Sequence, residues 1–297
     1  MIPGNAKKTQ RGAKHHWWPK SLSQFWLNKS GKVNRISSNG EIISSNPKEF
    51  AHISNGHNFI YDSPNSWEGT IEPFFDNSDR NMRSIVKDLE EFRSWNSFEK
   101  RYMYATQSEE HQNIDLLREC ILSLVVRSPF YRNRLNNLVI GFRGEIPKKE
   151  SKMLITSNMG SAFRELTRNS VRCGRLAILF SDEAEFIYGD GVYNNISSSV
   201  YYLSNLQIVI PITPNIAVVW ANPRSYMSQP LVQSLPIDRR TVLMINNAIQ
   251  IYSKDYIFYR NEMPELIEPF TRNEHLTYSN NQNPLYKFVD HLIRYVP

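Results

Sequence analysis

Residues 206–222, LQIVIPITPNIAVVWAN, decide the fold class. Two β-branched, apolar runs, LQIVIPIT and AVVWAN, flank turn residues, and such runs read as strands of a buried sheet. Pro211, Pro214 and Asn215 interrupt the stretch, which is also too short to span a bilayer. Upstream, LAILFS (176–181), EFIYGD (185–190) and VYYLSN (200–205) have the same character. From about residue 172 to 222 the chain therefore reads as a mainly antiparallel sheet. Helical spacing surrounds it. On the C-terminal side RRTVLMINNAIQIYS (239–253) and PLYKFVDHLIRYV (284–296) read as helices. On the N-terminal side one helix is expected from Pro73, suited to a first helical position, to about Trp95. A second is expected over 109–126, and a third between Leu154 and Leu166.

Before these, SLSQFWL (21–27) predicts a short helix, and KVNRISSNGEIISS (32–45) a hairpin turning at Asn39-Gly40. FAHISNGHNFIY (50–61) reads as extended, and DSPNSW (62–67) as a loop. Hairpins, then helices, then strands, then helices make an α+β protein rather than an alternating βαβ one. Residues 1–14 read as a flexible basic arm and 15–297 as a single α+β domain, with a candidate subdomain boundary near 170.

The 297 residues are 40% hydrophobic and 22% charged, the balance of a globular chain. Two cysteines, Cys120 and Cys173, exclude a disulfide framework and a thiolate zinc site. The basic N-terminus has no apolar segment behind it, which argues against a signal peptide and for a cytoplasmic protein. A net charge of +6 and a pI near 9.2 permit a phosphate-bearing partner or a solvated basic surface.

The concentrated chemistry lies in the first eighty residues. His15 and His16 precede Trp17, Trp18 and Pro19, a stiff and partly dry setting for two imidazoles. His57 follows the tight Asn55-Gly56 turn. Glu72, Asp76 and Asp79 share one helix face, and Asp79 points along the apolar stripe of Met82 and Val86. A core-facing carboxylate must be paired, protonated or bound to a cation. Arg83, four residues on, offers a helix-internal ion pair; the other reading joins His15, His16, His57, Glu72 and Asp79 around a divalent manganese, magnesium or zinc ion. In that reading His16, His57, Glu72 and Asp79 are catalytic and Arg127 holds phosphate. Arg127, at a helix C-terminus, is equally explained by the helix dipole. Asp190 in Gly-Asp-Gly is most simply a turn residue, and mid-helix Asn246 implies a buried hydrogen bond to a strand.

There is no H-E-x-x-H, Walker loop, G-x-S-x-G or dinucleotide fingerprint. The doubled histidine and proline of HHWWPKSL resemble the opening of HNH-type nucleases over about ten residues. More of the chain resembles a bacterial HHWWP-motif family of unknown function, within or near the grouping designated domain of unknown function 4238. The likeness rests on HHWWP, Trp26, Gly40, Asn55-Gly56-His57, Trp67 and Glu72-x-x-Phe75-Asp76-x-x-Asp79. Arg127-Ser128-Pro129, Tyr188-Gly189-Asp190, Pro211-Ile212-Thr213-Pro214 and Asn246 follow more loosely. Two places depart from the family pattern: Ser23 stands where leucine is usual, and Gly189-Asp190-Gly191-Val192 replaces Ser-Asp-x-Pro. The resemblance implies a site without naming a reaction. Together these readings favour a metal-assisted hydrolase, most simply a nuclease, of the kind a bacterial defence or toxin cassette carries. The alternative is a non-catalytic nucleic-acid- or protein-binding module with a structural histidine–carboxylate cluster.

Overall fold

A computed structural model describes residues 14–60, 68–93, 108–170, 174–196, 206–222, 232–279 and 283–294. The expected loop at 62–67, the strand at 200–205, Trp95, Cys173 and all of the basic arm but Lys14 lie outside the described residues. Lys14 itself opens a strand.

The N-terminal elements are β1 (Lys14–His16), α1 (Lys20–Ser23) with a 3-10 turn at Gln24–Trp26, the hairpin β2 (Val33–Ser37) and β3 (Ile42–Ser45), and the short strands β4 (His52–Ser54), β5 (Asn58–Ile60) and β6 (Glu68–Thr70). The extended reading of 50–61 thus resolves into two strands of different sheets. β1 pairs with β4 and β5 with β6, the turn at Asn55–His57 separating the two ladders.

Four helices follow: α2 (Asp76–Arg93), entered through a 3-10 turn at Glu72–Phe75, then α3 (Ser108–Arg127), α4 (Pro129–Arg143) and α5 (Lys148–Ser170). The sequence pattern leaves α4 unread, although its start signal is present. Ser128 caps the helix by accepting the Tyr131 N–H at 3.2 Å, and Pro129 occupies the first turn. α5 begins six residues before Leu154, because its first turns are polar and carry no apolar period.

The C-terminal part contains β7 (Arg175–Phe180), β8 (Tyr188–Gly189), β9 (Tyr193–Asn194), β10 (Gln207–Thr213), β11 (Ile216–Ala221), β12 (Val232–Pro236), α6 (Arg239–Tyr252), β13 (Tyr256–Tyr259), α7 (Glu268–Thr271) and α8 (Pro284–Arg294). The quoted stretch is the β10–β11 hairpin, Ile208 facing Trp220 and Val209 facing Val219. It lies in a five-stranded sheet ordered β12-β7-β11-β10-β9, antiparallel except where β12 runs parallel to β7. Every residue of β7, β10 and β11 is buried, so these strands carry no polar alternation. The second main sheet is ordered β3-β2-β13-β8, so the N-terminal hairpin is completed by strands from beyond residue 187.

An α+β class with antiparallel sheets is therefore what the chain adopts. One cluster of buried apolar side chains includes residues from Trp17 to Ile293. Among the described residues no helix is long and apolar enough to cross a membrane.

The tryptophans of HHWWP fix the first strand in place. Trp18 stacks on Tyr188 at 4.6 Å between ring centroids and meets Trp26 edge-on at 5.8 Å. Trp26 donates its indole N–H to the Ile212 carbonyl at 3.0 Å, which ties the N-terminal turn to β10.

Candidate functional site

In a strand, neighbouring side chains leave opposite faces. His15 and His16 are neighbours in β1, and the fold sends them to different partners. In the β1–β4 ladder His15 lies opposite Ile53 and His16 opposite His52. The His15 ring stacks on His57 at 5.0 Å with 18° between planes, whereas His16 meets His52 at 5.6 Å and 59°.

His57 is presented by the turn after β4. Asn55 adopts a left-handed φ of 53° and the Gly56 N–H bonds the Ile53 carbonyl. A Cβ on Gly56 would stand 2.9 Å from the Ile53 Cβ, so the turn is this tight only with glycine. The turn's backbone is held from above: Arg132 donates to the Gly56 carbonyl at 2.6 Å, and the Thr156 hydroxyl reaches it at 3.5 Å. The His57 backbone N–H donates to His15 Nδ1 at 3.1 Å, which makes that nitrogen an acceptor and puts the proton of neutral His15 on Nε2.

The Glu72 carboxylate bonds His57 Nδ1. Its place is set by the strand before it. The His57 carbonyl accepts from the Ile71 N–H at 3.0 Å and the Thr70 hydroxyl at 3.2 Å. That turn lies directly against α5 at Gly160, where a Cβ would come within 2.9 Å of Ile71 and 3.0 Å of Phe74. His57 is 2% exposed, while the Glu72 side chain is 37% exposed and forms the open edge of the pair. Burial holds the His57 pKa below the ordinary imidazole value despite Glu72. Burial pushes Glu72 up, but the hydrogen bond from His57 and the nearby charges, Arg127 among them, outweigh it, and its carboxyl sits below the usual range. At neutral pH the pair is a neutral imidazole donating Nδ1–H to a carboxylate, which leaves Nε2 as the basic nitrogen. His15 is likewise lowered, first by burial. His16 is lowered to about 4 by burial and then by Lys20.

Asp79 does not join this group. Its side chain is 36% exposed, and it grips Arg127 from the end of α3, Nη1 to Oδ2 at 2.9 Å and Nη2 to Oδ1 at 2.6 Å. The partner expected within the helix, Arg83, is exposed. Arg127 is 1% exposed; its Nε donates to the Ser123 carbonyl at 3.2 Å and its guanidinium lies 4.7 Å over the Phe75 ring. A bidentate fork so committed is spoken for, which removes the expected reason for reading Arg127 as a phosphate ligand. Asp76 is exposed. The five-residue metal set thus divides into His15–His57–Glu72, His16–His52 and Asp79–Arg127. Among the described residues no three His, Cys, Asp or Glu side chains converge on one ion. The division follows from strand alternation at His15-His16 and from α3 supplying Arg127 as the partner of Asp79.

Three further residues matter that the sequence reading did not place. His52 is visible only once the β1–β4 register is known. Arg132 caps the Gly56 turn, and burial pulls it down to about 10, still cationic at neutral pH. Lys152 on α5 is near enough for its charge to act on both His15 and Arg132. Asp190 lies elsewhere, fully enclosed, accepting the backbone N–H groups of Lys254 at 2.8 Å and Asp255 at 3.0 Å; it fastens β8 to the turn before β13. Asn246 bonds the backbone at Glu185 and Ile187, just before β8.

No family model, curated protein or solved structure matches the chain.

Proposed function

We propose that the protein is a phosphodiester hydrolase, a nuclease, in which His57 is the general base and Glu72 orients it. The observation that carries the reading is the carboxylate-held imidazole of His57, stacked on His15, on which the charges of Lys152 and Arg132 act. A histidine whose Nδ1–H is committed to a carboxylate keeps one tautomer and offers Nε2 to a water or hydroxyl. The neighbouring cations suit a phosphate, and the chain's net charge of +6 suits a polyanionic partner. The divalent ion in this reading is magnesium or manganese arriving with the substrate. Such ions are commonly held by one or two carboxylates together with substrate phosphate oxygens rather than by a protein cage. The open edge of Glu72 is the donor for it. The resemblance to the HHWWP family is compatible with this site and contributes no reaction.

A second reading is favoured by the 2% exposure of His57. A ring that enclosed also serves as a hydrogen-bonded knot joining β1, the Asn55–His57 turn and the 3-10 turn at Glu72. The protein is then a binding module for nucleic acid or a partner protein. One experiment separates the two. Purified protein is incubated with single- and double-stranded DNA and RNA, with magnesium or manganese and with chelator, beside a His57→Asn variant. The hydrolase reading expects cleavage that the folded variant loses by about a hundredfold or more. Absence of cleavage on all four substrates sinks it. Unchanged cleavage by the variant removes His57 from the chemistry.

A further inference from the structure

His16 and His52 belong to no part of the proposed chemistry, yet they face each other across β1 and β4. The Nδ1 atoms of both rings are buried and have no hydrogen-bond partner. That is an unusual state for two polar atoms in one place, since buried polar groups are nearly always paired. Paired strands hold the two Cα positions in fixed register, so the arrangement is built into the backbone and does not depend on long, mobile side chains.

We infer that His16 and His52 form a two-imidazole chelate for a borderline-soft transition metal ion, Zn2+, Ni2+ or Cu2+. Imidazole is the protein donor these ions favour, and directly opposite strand positions bring two of them within reach of one ion. The dimensions agree. With a metal–nitrogen bond of about 2.1 Å, each ring centroid lies ~3.2 Å from the ion, and two rings at a tetrahedral angle stand ~5.2 Å apart. The observed separation is 5.6 Å. The enclosed Nδ1 atoms leave no room for an ion with its own waters, so the Nε2 atoms are the ligands in this inference, and water takes the remaining positions. Lys14 and Lys20, whose charges act on His16, oppose a cation while the Glu72 carboxylate, acting more weakly than Lys20, favours one, and the balance holds the affinity to a modest level. This site is separate from the His57–Glu72 pair, which has its own partners and asks for a harder ion.

Calorimetric titration of the full chain with Ni2+ or Zn2+ near neutral pH tests the assignment, with His16→Gln, His52→Gln and His57→Gln alongside. One equivalent is expected to bind to the wild type and to His57→Gln with equal affinity. Either of the other variants weakens binding by about tenfold or more. Failure of the wild type to bind, or binding that survives His52→Gln, overturns the site. Equal loss in His57→Gln assigns the ion to the Glu72 group and overturns it too. Because the variants lie in paired strands, the wild-type protein gives an independent reading. Sub-stoichiometric Cu2+ should broaden the side-chain NMR signals of His16 and His52 before those of the other histidines, and broadening that spares this pair refutes the proposal. Neither result depends on whether the protein cleaves nucleic acid.

Discussion

Replacing Asp79 by Asn removes the counter-charge of a guanidinium that is 1% exposed, while leaving the volume of the side chain almost unchanged. Breaking a fully buried ion pair by deleting one partner costs about 3–5 kcal/mol. Here the carboxylate is 36% exposed, so water reaches one side of the pair, and Arg127 retains its bond to the Ser123 carbonyl and its seat over Phe75. Both features reduce the loss, and Asn keeps one acceptor oxygen. The expected cost is about 2–3 kcal/mol. For a chain of this size that corresponds to a fall in Tm of roughly 3–5 °C. Urea unfolding of the wild type, Asp79→Asn, Arg127→Met and the double variant measures it as a cycle. The double variant should be less destabilised than the sum of the single ones by about 1 kcal/mol or more, because the second change removes the charge that the first left alone. An Asp79→Asn protein within about 0.5 kcal/mol of wild type, or singles that simply add, would refute the claim that this pair fastens α2 to the end of α3.

His16, lowered to about 4, binds its proton less readily when folded than when unfolded, so its contribution is present above the ordinary value of 6.5 and is lost as pH falls from there toward 4. Since the ring is only half-buried, screening limits this to about 1–2 kcal/mol, and thermal melts of His16→Gln should show a correspondingly flatter acid limb. Glu72 acts in the next window down: its lowered carboxyl gives stability above the ordinary carboxyl value of 4.5 that disappears in stronger acid, so Glu72→Gln should lose stability at neutral pH and approach wild type as the acid limb is descended. Gly160→Ala gains about 1 kcal/mol of helix propensity but forces a Cβ into Ile71 and Phe74; overpacking of about 1–3 kcal/mol makes the net change destabilising by denaturant midpoint. The Cys120 thiol, buried and pushed up by its apolar surroundings, should stay silent to a thiol reagent in the native protein and react only on unfolding.

The fold class was legible because the elements that define it announce themselves locally. The β10–β11 run is strongly apolar, Asn39-Gly40 marks the β2–β3 hairpin, and α2, α3 and α6 carry clear helical periods. α4 was left unread although its apolar positions are no less periodic than those of α3 and Ser128-Pro129 signalled its start. β12 and β13 escaped because four- and five-residue strands owe their existence to partners distant in sequence. The candidate site divides the same way. Sequence alone picked out His15, His57 and Glu72, which do meet. It placed His16 with them because adjacency in sequence conceals the alternation of a strand. It aimed Asp79 at the core and gave it Arg83, since helix spacing reveals which neighbours share a face but says nothing of a guanidinium arriving from another helix 48 positions on.

The pairing of β2 with β13 has a bearing on how the protein is made. Asn34 bonds the carbonyl of Arg260, 226 positions along the chain, and the ladder between them runs from Asn34–Tyr259 to Ser37–Tyr256. During synthesis the β2–β3 hairpin emerges well before β13 and then waits, one edge open, until Tyr256–Tyr259 have left the ribosome. An unpaired edge is a template for the wrong partner, and contacts this distant form slowly. A chain stalled or truncated before Tyr256 therefore carries a completed hairpin with no fourth- or third-strand neighbour, and such fragments are the species most prone to cross-pair with one another or to engage chaperones.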